Sequence, residues 1–220
     1  MTPLTVAVPK GRILGALIPL LERAGLDASP LQGSDRRLVR PSADGAIRYI
    51  FLKPDDVTTY VEYGAADLGF AGRDTLLERR HDLYTPLDLG IGHCRLVVAG
   101  RAGEPRPDLP RVATKYPRIA GEHFARRGVV AEIIPVHGSV ELAPLVGLSH
   151  LIVDIVETGA TLRENHLDIL ETVAEVSTLL VANRAAYKLR SDAIRPVVER
   201  LRAVTRPAAA ALAPRAPRSA

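Results

Sequence analysis

Residues 150–170, HLIVDIVETGATLRENHLDIL, constrain the chain more than any other stretch. Leu151, Ile152 and Val153 are a continuous apolar run, the pattern of a buried strand. Asp154 closes the run, Ile155, Val156 and a second acid, Glu157, follow, and Thr158-Gly159-Ala160-Thr161 leads into the helix-compatible Leu162-Arg163-Glu164-Asn165. A strand that turns through small residues into a helix gathers backbone N–H groups and two hydroxyls around one point, at the positive end of the helix dipole. That point suits a phosphate. An ordinary strand-to-helix connection needs no carboxylates. The two here cannot hold phosphate themselves, but they can hold ribose hydroxyls or a Mg²⁺ that bridges to phosphate oxygens. An acid followed by TGxT therefore reads as a site for a sugar phosphate.

The same grammar recurs upstream. Residues 4–8 read as a strand, Pro9-Lys10-Gly11-Arg12 as its turn, and residues 13–24 as a helix with Ile13, Leu14, Leu17, Ile18, Leu20 and Leu21 at near-helical spacing. Lys10, Gly11 and Arg12 thus stand where a strand's C-terminal end meets a helix's N-terminus, the usual ligand position in α/β proteins. Cations there oppose the helix dipole, a cost that a bound anion offsets; the alternative is two solvated surface cations. Arg36, Arg37 and Arg40 flank a short strand at Leu38-Val39, and a Pro-Ser-Ala-Asp-Gly turn leads to a second strand at residues 47–52. The result is a hairpin rimmed by cations that face either an anion or solvent. Lys53 ends that strand. A helix over residues 55–63, a strand over 67–70, a helix opening at Arg73-Asp74 and a loop over 86–92 follow.

Residues 93–99 form an apolar strand, and residues 100–110, with three prolines, an exposed connection. A second α/β unit begins at Arg111-Val112-Ala113, turns at Thr114-Lys115-Tyr116-Pro117, continues as a helix over 118–127 and a strand over 129–134, and reaches another strand-to-helix turn at 136–141. Ser139 suits the cap of that helix, with Glu141 favourable in its first turn. Residues 167–182 are apolar and β-branched, forming either one long strand or a bent pair. Helices over 183–189 and 194–204 come last. Past Thr205 the composition collapses to Ala, Pro and Arg, which reads as a disordered tail over 206–220.

Composition excludes several classes. Of the net charge of +4, three positive charges are Arg206, Arg215 and Arg218, so the folded part is near neutral; with 4% aromatics and no Trp, neither electrostatics nor stacking points to nucleic acid. The single cysteine, Cys94, excludes an internal disulfide or a cysteine metal cage, and its strand periodicity makes it a packed small hydrophobe, as in a reducing cytoplasm. The N-terminus has no basic-then-apolar leader and no run is apolar enough for a membrane span, so a cytoplasmic protein is expected. No histidines share the i, i+4 spacing of a helical metal pair, and His93, His137, His150 and His166 read as structural or surface residues. Neither a GxGxxG after the first strand nor a GxxxxGK[ST] is present.

The string VDIVETGATLRENHL resembles the loop that grips 5-phosphoribosyl-1-pyrophosphate (PRPP) in phosphoribosyltransferases, in the form found in ATP phosphoribosyltransferases, the enzymes that open histidine biosynthesis. The PKGR start is similar to a recurrent active-site feature of that family, and GAADLGFAGRD, ATKYPRIAGEHF and HGSVE are further similar strings. The resemblance covers residues 4–190. It implies an α/β fold of two lobes around a cleft, like the type II periplasmic binding proteins, with residues 1–92 and 179–205 in one lobe and 93–178, carrying the PRPP loop, in the other. It also implies the reaction: N1 of the adenine of ATP attacks C1 of PRPP, with inversion and loss of pyrophosphate, in the presence of Mg²⁺.

Carried over residue by residue, the resemblance gives Thr158, Gly159, Ala160 and Thr161 to the 5-phosphate. Asp154 and Glu157 go to the ribose hydroxyls or to the charge that builds on the sugar, either of them able to add a ligand to a substrate-borne Mg²⁺. Lys10 and Arg12, with Gly11 between them, and Arg37 neutralise the leaving group, with Lys53, Arg36 and Arg40 as weaker candidates. Ser139 and Glu141 lie on a turn across from the PRPP loop, with Glu141 near the reacting sugar. Longer members of the family carry an additional C-terminal regulatory domain that binds histidine. Here the fold is expected to stop near Val204, so the chain resembles the short form, which works with a separate regulatory subunit resembling histidyl-tRNA synthetase. The expected partners are ATP, PRPP, that subunit and a second copy in a homodimer, without nucleic acid or membrane. Two readings outside the family share the fold. An anion- or small-molecule-binding protein without catalysis would not need Asp154, Glu157 and Glu141 and would normally carry an export signal. The effector domain of a DNA-binding regulator should bring a helix-turn-helix, which the first 25 residues do not show.

Overall fold

The computed structural model describes residues 2–33, 35–104 and 107–205, and the tail expected at 206–220 lies outside them. Strand β1 (Leu4–Pro9) is buried throughout and runs into α1 (Arg12–Arg23), whose Leu17, Leu20 and Leu21 face the core. β2 (Val39–Pro41) and β3 (Ile47–Leu52) form the expected hairpin. Helix α2 (Pro54–Glu62) starts on a proline, with Asp55 and Asp56 in the first turn, where the helix dipole favours them. β4 (Leu68–Gly72), α3 (Arg73–Arg79), β5 (Tyr84–Asp88) and β6 (Cys94–Gly100) follow. The chain continues through β7 (Arg111–Thr114), α4 (Pro117–Arg126), β8 (Glu132–Pro135) and α5 (Leu142–Leu145). β9 (Leu151–Val156), α6 (Ala160–Glu164), β10 (Asp168–Val176), β11 (Thr178–Ala182), α7 (Arg184–Leu189) and α8 (Ser191–Val204) complete the described chain.

These elements make two compact units: the first takes the described parts of residues 1–72, 81–92 and 177–220, the second those of 73–80 and 93–176. In the first, a six-stranded sheet has the order β2-β3-β1-β4-β11-β5, parallel through β3-β1-β4 and antiparallel at β2, β11 and β5. In the second, a five-stranded sheet has the order β10-β6-β9-β7-β8, parallel through β9-β7-β8 and antiparallel at β6 and β10. The apolar run at 167–182 is therefore a bent pair, one strand in each sheet, broken at Ser177.

Three expectations change. Residues 73–80, expected in the first lobe, belong to the second unit because Glu78 accepts the backbone N–H groups of Arg118 and Ile119 at 2.9 and 3.0 Å, which docks α3 on the start of α4. Residues 177 and 178, expected in the second lobe, belong to the first: the Ser177 hydroxyl donates to Asp88 at 2.7 Å and Thr178 opens β11. Part of the loop expected at 86–92 is strand β5. Pro86 sits where the β5–β11 register slips between Leu180 and Ala182, on an edge strand, so the missing proline N–H breaks no ladder bond.

Two contacts hold β1 and β4 in place. Asp67 accepts the Thr5 N–H at 2.7 Å and Arg190 Nη1 at 2.6 Å, while Arg190 Nη2 donates to the Thr2 carbonyl at 2.6 Å, which pins the start of β1. On β4, a Cβ at Gly69 would lie 2.8 Å from Val61 Cγ2 and 2.9 Å from Val57 Cγ1, so α2 packs on bare backbone there. Gly69→Ala should cost about 1–3 kcal/mol by overpacking. Urea unfolding checks this, and an unchanged midpoint would contradict the packing described.

Candidate active site

The second unit gathers candidate residues towards the C-terminal ends of its parallel strands. β7 and β9 run in register with Thr114 opposite Val153, so Lys115, the first residue past β7, stands next to Asp154, which is still within β9, and its charge acts on that carboxyl. The Thr114 hydroxyl, fully buried, donates to the Val153 carbonyl at 2.6 Å and accepts the Tyr116 N–H at 2.8 Å. The Tyr116 hydroxyl donates to Asp74 Oδ2 at 2.9 Å, which ties the start of α4 to the first turn of α3. Asp154 Oδ1 accepts the N–H of Ile155 at 2.8 Å. Burial pushes the Asp154 carboxyl up to about 6; Glu141 and Asp74 add to the rise, while the Ile155 N–H and Lys115 oppose it. The structure thus brings Asp154 and Glu141 into one electrostatic cluster, and adds Asp74 and Lys115. Sequence reading passed over both, although each leaves the end of a strand, β4 or β7, just as Lys10 and Glu157 do.

Beyond β9, Glu157 and Thr158 are exposed and Gly159 takes φ +74°, the left-handed region that favours glycine, as the N-cap of α6. Gly159 offers no capping side chain; the Thr158 hydroxyl accepts the Ala160 N–H at 3.3 Å, and Arg163 Nη1 donates to the Thr158 carbonyl at 3.1 Å. Ala160 and Thr161 form the exposed first turn. Ser139 does not cap a helix. It adopts φ +46°, its carbonyl accepts the Leu142 N–H at 3.1 Å, and α5 begins after Glu141 with no side-chain cap.

The first unit carries the cations. The Lys10 N–H donates to the Leu52 carbonyl at 2.8 Å, so Lys10 and Lys53 emerge from neighbouring strand ends. Gly11, at φ +92°, turns the chain into α1, which has no acid in its first turn and opens on exposed Arg12. Arg36 is exposed, and so is Arg37, whose N–H donates to Asp35 at 2.8 Å and holds that carboxyl below its ordinary range. Arg40 is a different case: Nη1 donates to the Pro30 carbonyl at 2.6 Å, Nη2 to the Asp35 carbonyl and Oδ1 at 2.8 and 2.9 Å, and its guanidinium lies 4.9 Å from the Phe51 ring centroid. It holds the loop before β2 together, not the cationic rim on which the sequence placed it. His150 is structural, its Nδ1 accepting the Arg111 N–H at 2.9 Å. Among the described residues no cluster of three or more His, Cys, Asp or Glu could hold a metal ion, and no helix is long and apolar enough to cross a membrane.

A model of the ATP phosphoribosyltransferase family, HisG, matches residues 53–203. The chain belongs to that family. It is 82% identical over 203 residues to an ATP phosphoribosyltransferase of Sorangium cellulosum, covering 92% of this chain and 96% of that protein. It is 48% identical over 204 residues to one of Geobacter metallireducens, covering 90% of this chain and 96% of that protein. Among solved structures, an ATP phosphoribosyl transferase (HisG:HisZ) complex from Thermotoga maritima matches with a TM-score of 0.79 and 37% identity, over 91% of this chain and 98% of that one. The activity that goes with the family is phosphoribosyl transfer to ATP, a glycosyltransferase reaction at the first step of histidine biosynthesis.

Because the folded-state value of Asp154, about 6, lies above its ordinary 3.8, the folded protein binds a proton that the unfolded chain releases, and stability falls as pH rises through that window. Asp154→Asn keeps an acceptor for the Ile155 N–H and removes the half-buried charge. Its melting temperature should exceed the parent's at pH 7.5, by up to about 3 kcal/mol in free energy, and the two should converge near pH 4. A variant with no gain at pH 7.5 would contradict a half-buried, charge-burdened Asp154.

Proposed function

We propose that the chain joins N1 of the adenine of ATP to C1 of PRPP and releases pyrophosphate, with the donor's sugar phosphate held by the second unit. One observation carries this reading: a half-buried ionisable carboxyl, Asp154, stands in the second half of the strand that leads into the left-handed Gly159 turn. A protein that only trapped an anion would gain nothing from a half-buried acid whose charge costs stability. An acid beside a sugar that turns cationic as its leaving group departs is worth most at that moment.

In this reading the amides and hydroxyls of Thr158, Gly159, Ala160 and Thr161 hold the 5-phosphate. Asp154 and Glu157 orient the ribose hydroxyls and, with Glu141, stabilise positive charge at C1. Ser139 lines the same corner. Lys10, Arg12 and Arg37, with Gly11 allowing close backbone approach and Lys53 on the neighbouring strand, hold the pyrophosphate as the C1–O bond breaks and its electron pair leaves with that group. The adenine nitrogen supplies the new bond, so no side-chain nucleophile is required. The donor set fits Mg²⁺ carried in on the substrate: the described residues hold no cluster of three or more such ligands, and Asp154 or Glu157 would add one oxygen each to an ion otherwise held by phosphates and water. When bound, Mg²⁺ neutralises phosphate charge. By analogy with the Thermotoga maritima HisG:HisZ complex, the chain takes a HisZ-like regulatory subunit; the family resemblance makes that subunit similar to histidyl-tRNA synthetase and the chain a homodimer of the cytoplasm.

Pyrophosphate release by the purified chain with ATP, PRPP and Mg²⁺ should require both substrates. Asp154→Ala should lower kcat/KM at least about 100-fold. Absence of release, alone and with the regulatory subunit, would leave an anion-binding protein in its place. Histidine should inhibit the isolated chain only weakly; strong inhibition of the homogeneous chain would place regulation within it and overturn the assignment of that role to a partner.

A further inference from the structure

Lys115 is the cation of the acid-rich corner, and none of the roles above uses it. Its backbone is locked on both sides. Thr114 before it is fully buried with its hydroxyl on Val153, and Tyr116 after it is buried with its hydroxyl on Asp74, yet the Lys115 side chain itself is exposed. In-register residues on parallel strands point to the same face of a sheet, so the step from Thr114 opposite Val153 sets Lys115 beside Asp154.

The Lys115 charge acts on the Asp154 carboxyl. A solvent-exposed ammonium beside one acid contributes on the order of 0–1 kcal/mol. A polyanionic sugar phosphate such as PRPP, however, must approach Asp154, Glu141 and Asp74 together, and these three carboxylates repel it. A compact ammonium at the same strand end cancels part of that repulsion and takes a phosphate oxygen as a point charge. We infer that Lys115 is a further donor-binding residue, its ammonium contacting a phosphate oxygen of the phosphoribosyl donor alongside Asp154. This rests on the reaction proposed above. The contacted oxygen belongs to either the 5-phosphate or the pyrophosphate, and competition separates the two.

The test compares Lys115→Ala and Lys115→Arg with the parent chain. Lys115→Ala should raise KM for PRPP about 10-fold, the loss of one charge-assisted hydrogen bond, and leave KM for ATP within about two-fold. Lys115→Arg should recover most of the loss. Calorimetric titration of PRPP in the absence of ATP should show the same weakening, at a melting temperature close to the parent's. If the inhibition constant of inorganic pyrophosphate rises in Lys115→Ala, the contact is on the leaving group; if that of ribose 5-phosphate rises, it is on the 5-phosphate. A KM for PRPP and both inhibition constants unchanged in Lys115→Ala would overturn the inference, as would a rise confined to ATP. Failure of the parent chain to release pyrophosphate is a separate result, which removes the reaction and not only this residue.

Discussion

The hydrogen bond from the buried Thr114 hydroxyl to the Val153 carbonyl, 2.6 Å long, joins the end of β7 to the middle of β9, one residue before Asp154. It fixes which residues stand side by side there. On one side Asp154 turns towards the Gly159 loop; on the other Lys115 is held in place by Tyr116, whose own hydroxyl reaches Asp74. A slip of one residue between β7 and β9 would turn Asp154 to the other face and dissolve the cluster. Everything assigned to the donor depends on this register.

The cluster is expensive to fold and useful to a transferase for the same reason. Burial and the neighbouring Glu141 and Asp74 make the Asp154 charge costly in the free protein. A substrate that brings positive charge to C1 relieves that cost only as the bond to pyrophosphate breaks, which is how a site favours a transition state over a ground state. In the proposed site, the Thr114 and Tyr116 bonds fix the backbone beside Asp154. In the first unit Lys10 and Lys53 follow the neighbouring ends of β1 and β3, joined by the Lys10 N–H to Leu52 carbonyl bond.

Much of this was legible in the sequence because it depends on local order. Apolar runs closed by an acid or a cation and followed by small residues announced β1 and β9 with their turns. What escaped depends on tertiary partners. Pro86 argued for a loop, and only the register slip opposite Leu180 and Ala182 shows how an edge strand accommodates it. The helix Arg73–Arg79 follows a strand of the first unit, yet Glu78 bonds it to α4. Arg40 looked like Arg36 and Arg37 in a basic run, but the Pro30 carbonyl and the Phe51 ring claim it. Asp74 and Lys115 carried the strand-end signal without an adjacent motif to raise them above an ordinary turn.

The central claim is that the donor's phosphate rests on the amides of the loop after β9. Hydrogen–deuterium exchange of the peptide spanning residues 157–165, with and without PRPP and Mg²⁺ and in the absence of ATP, tests it most directly. The account predicts slowed exchange of the amides at 159–162 on adding PRPP, and little change there on adding ATP alone. Protection confined to other strand ends, with this loop exchanging as in the free protein, would contradict it.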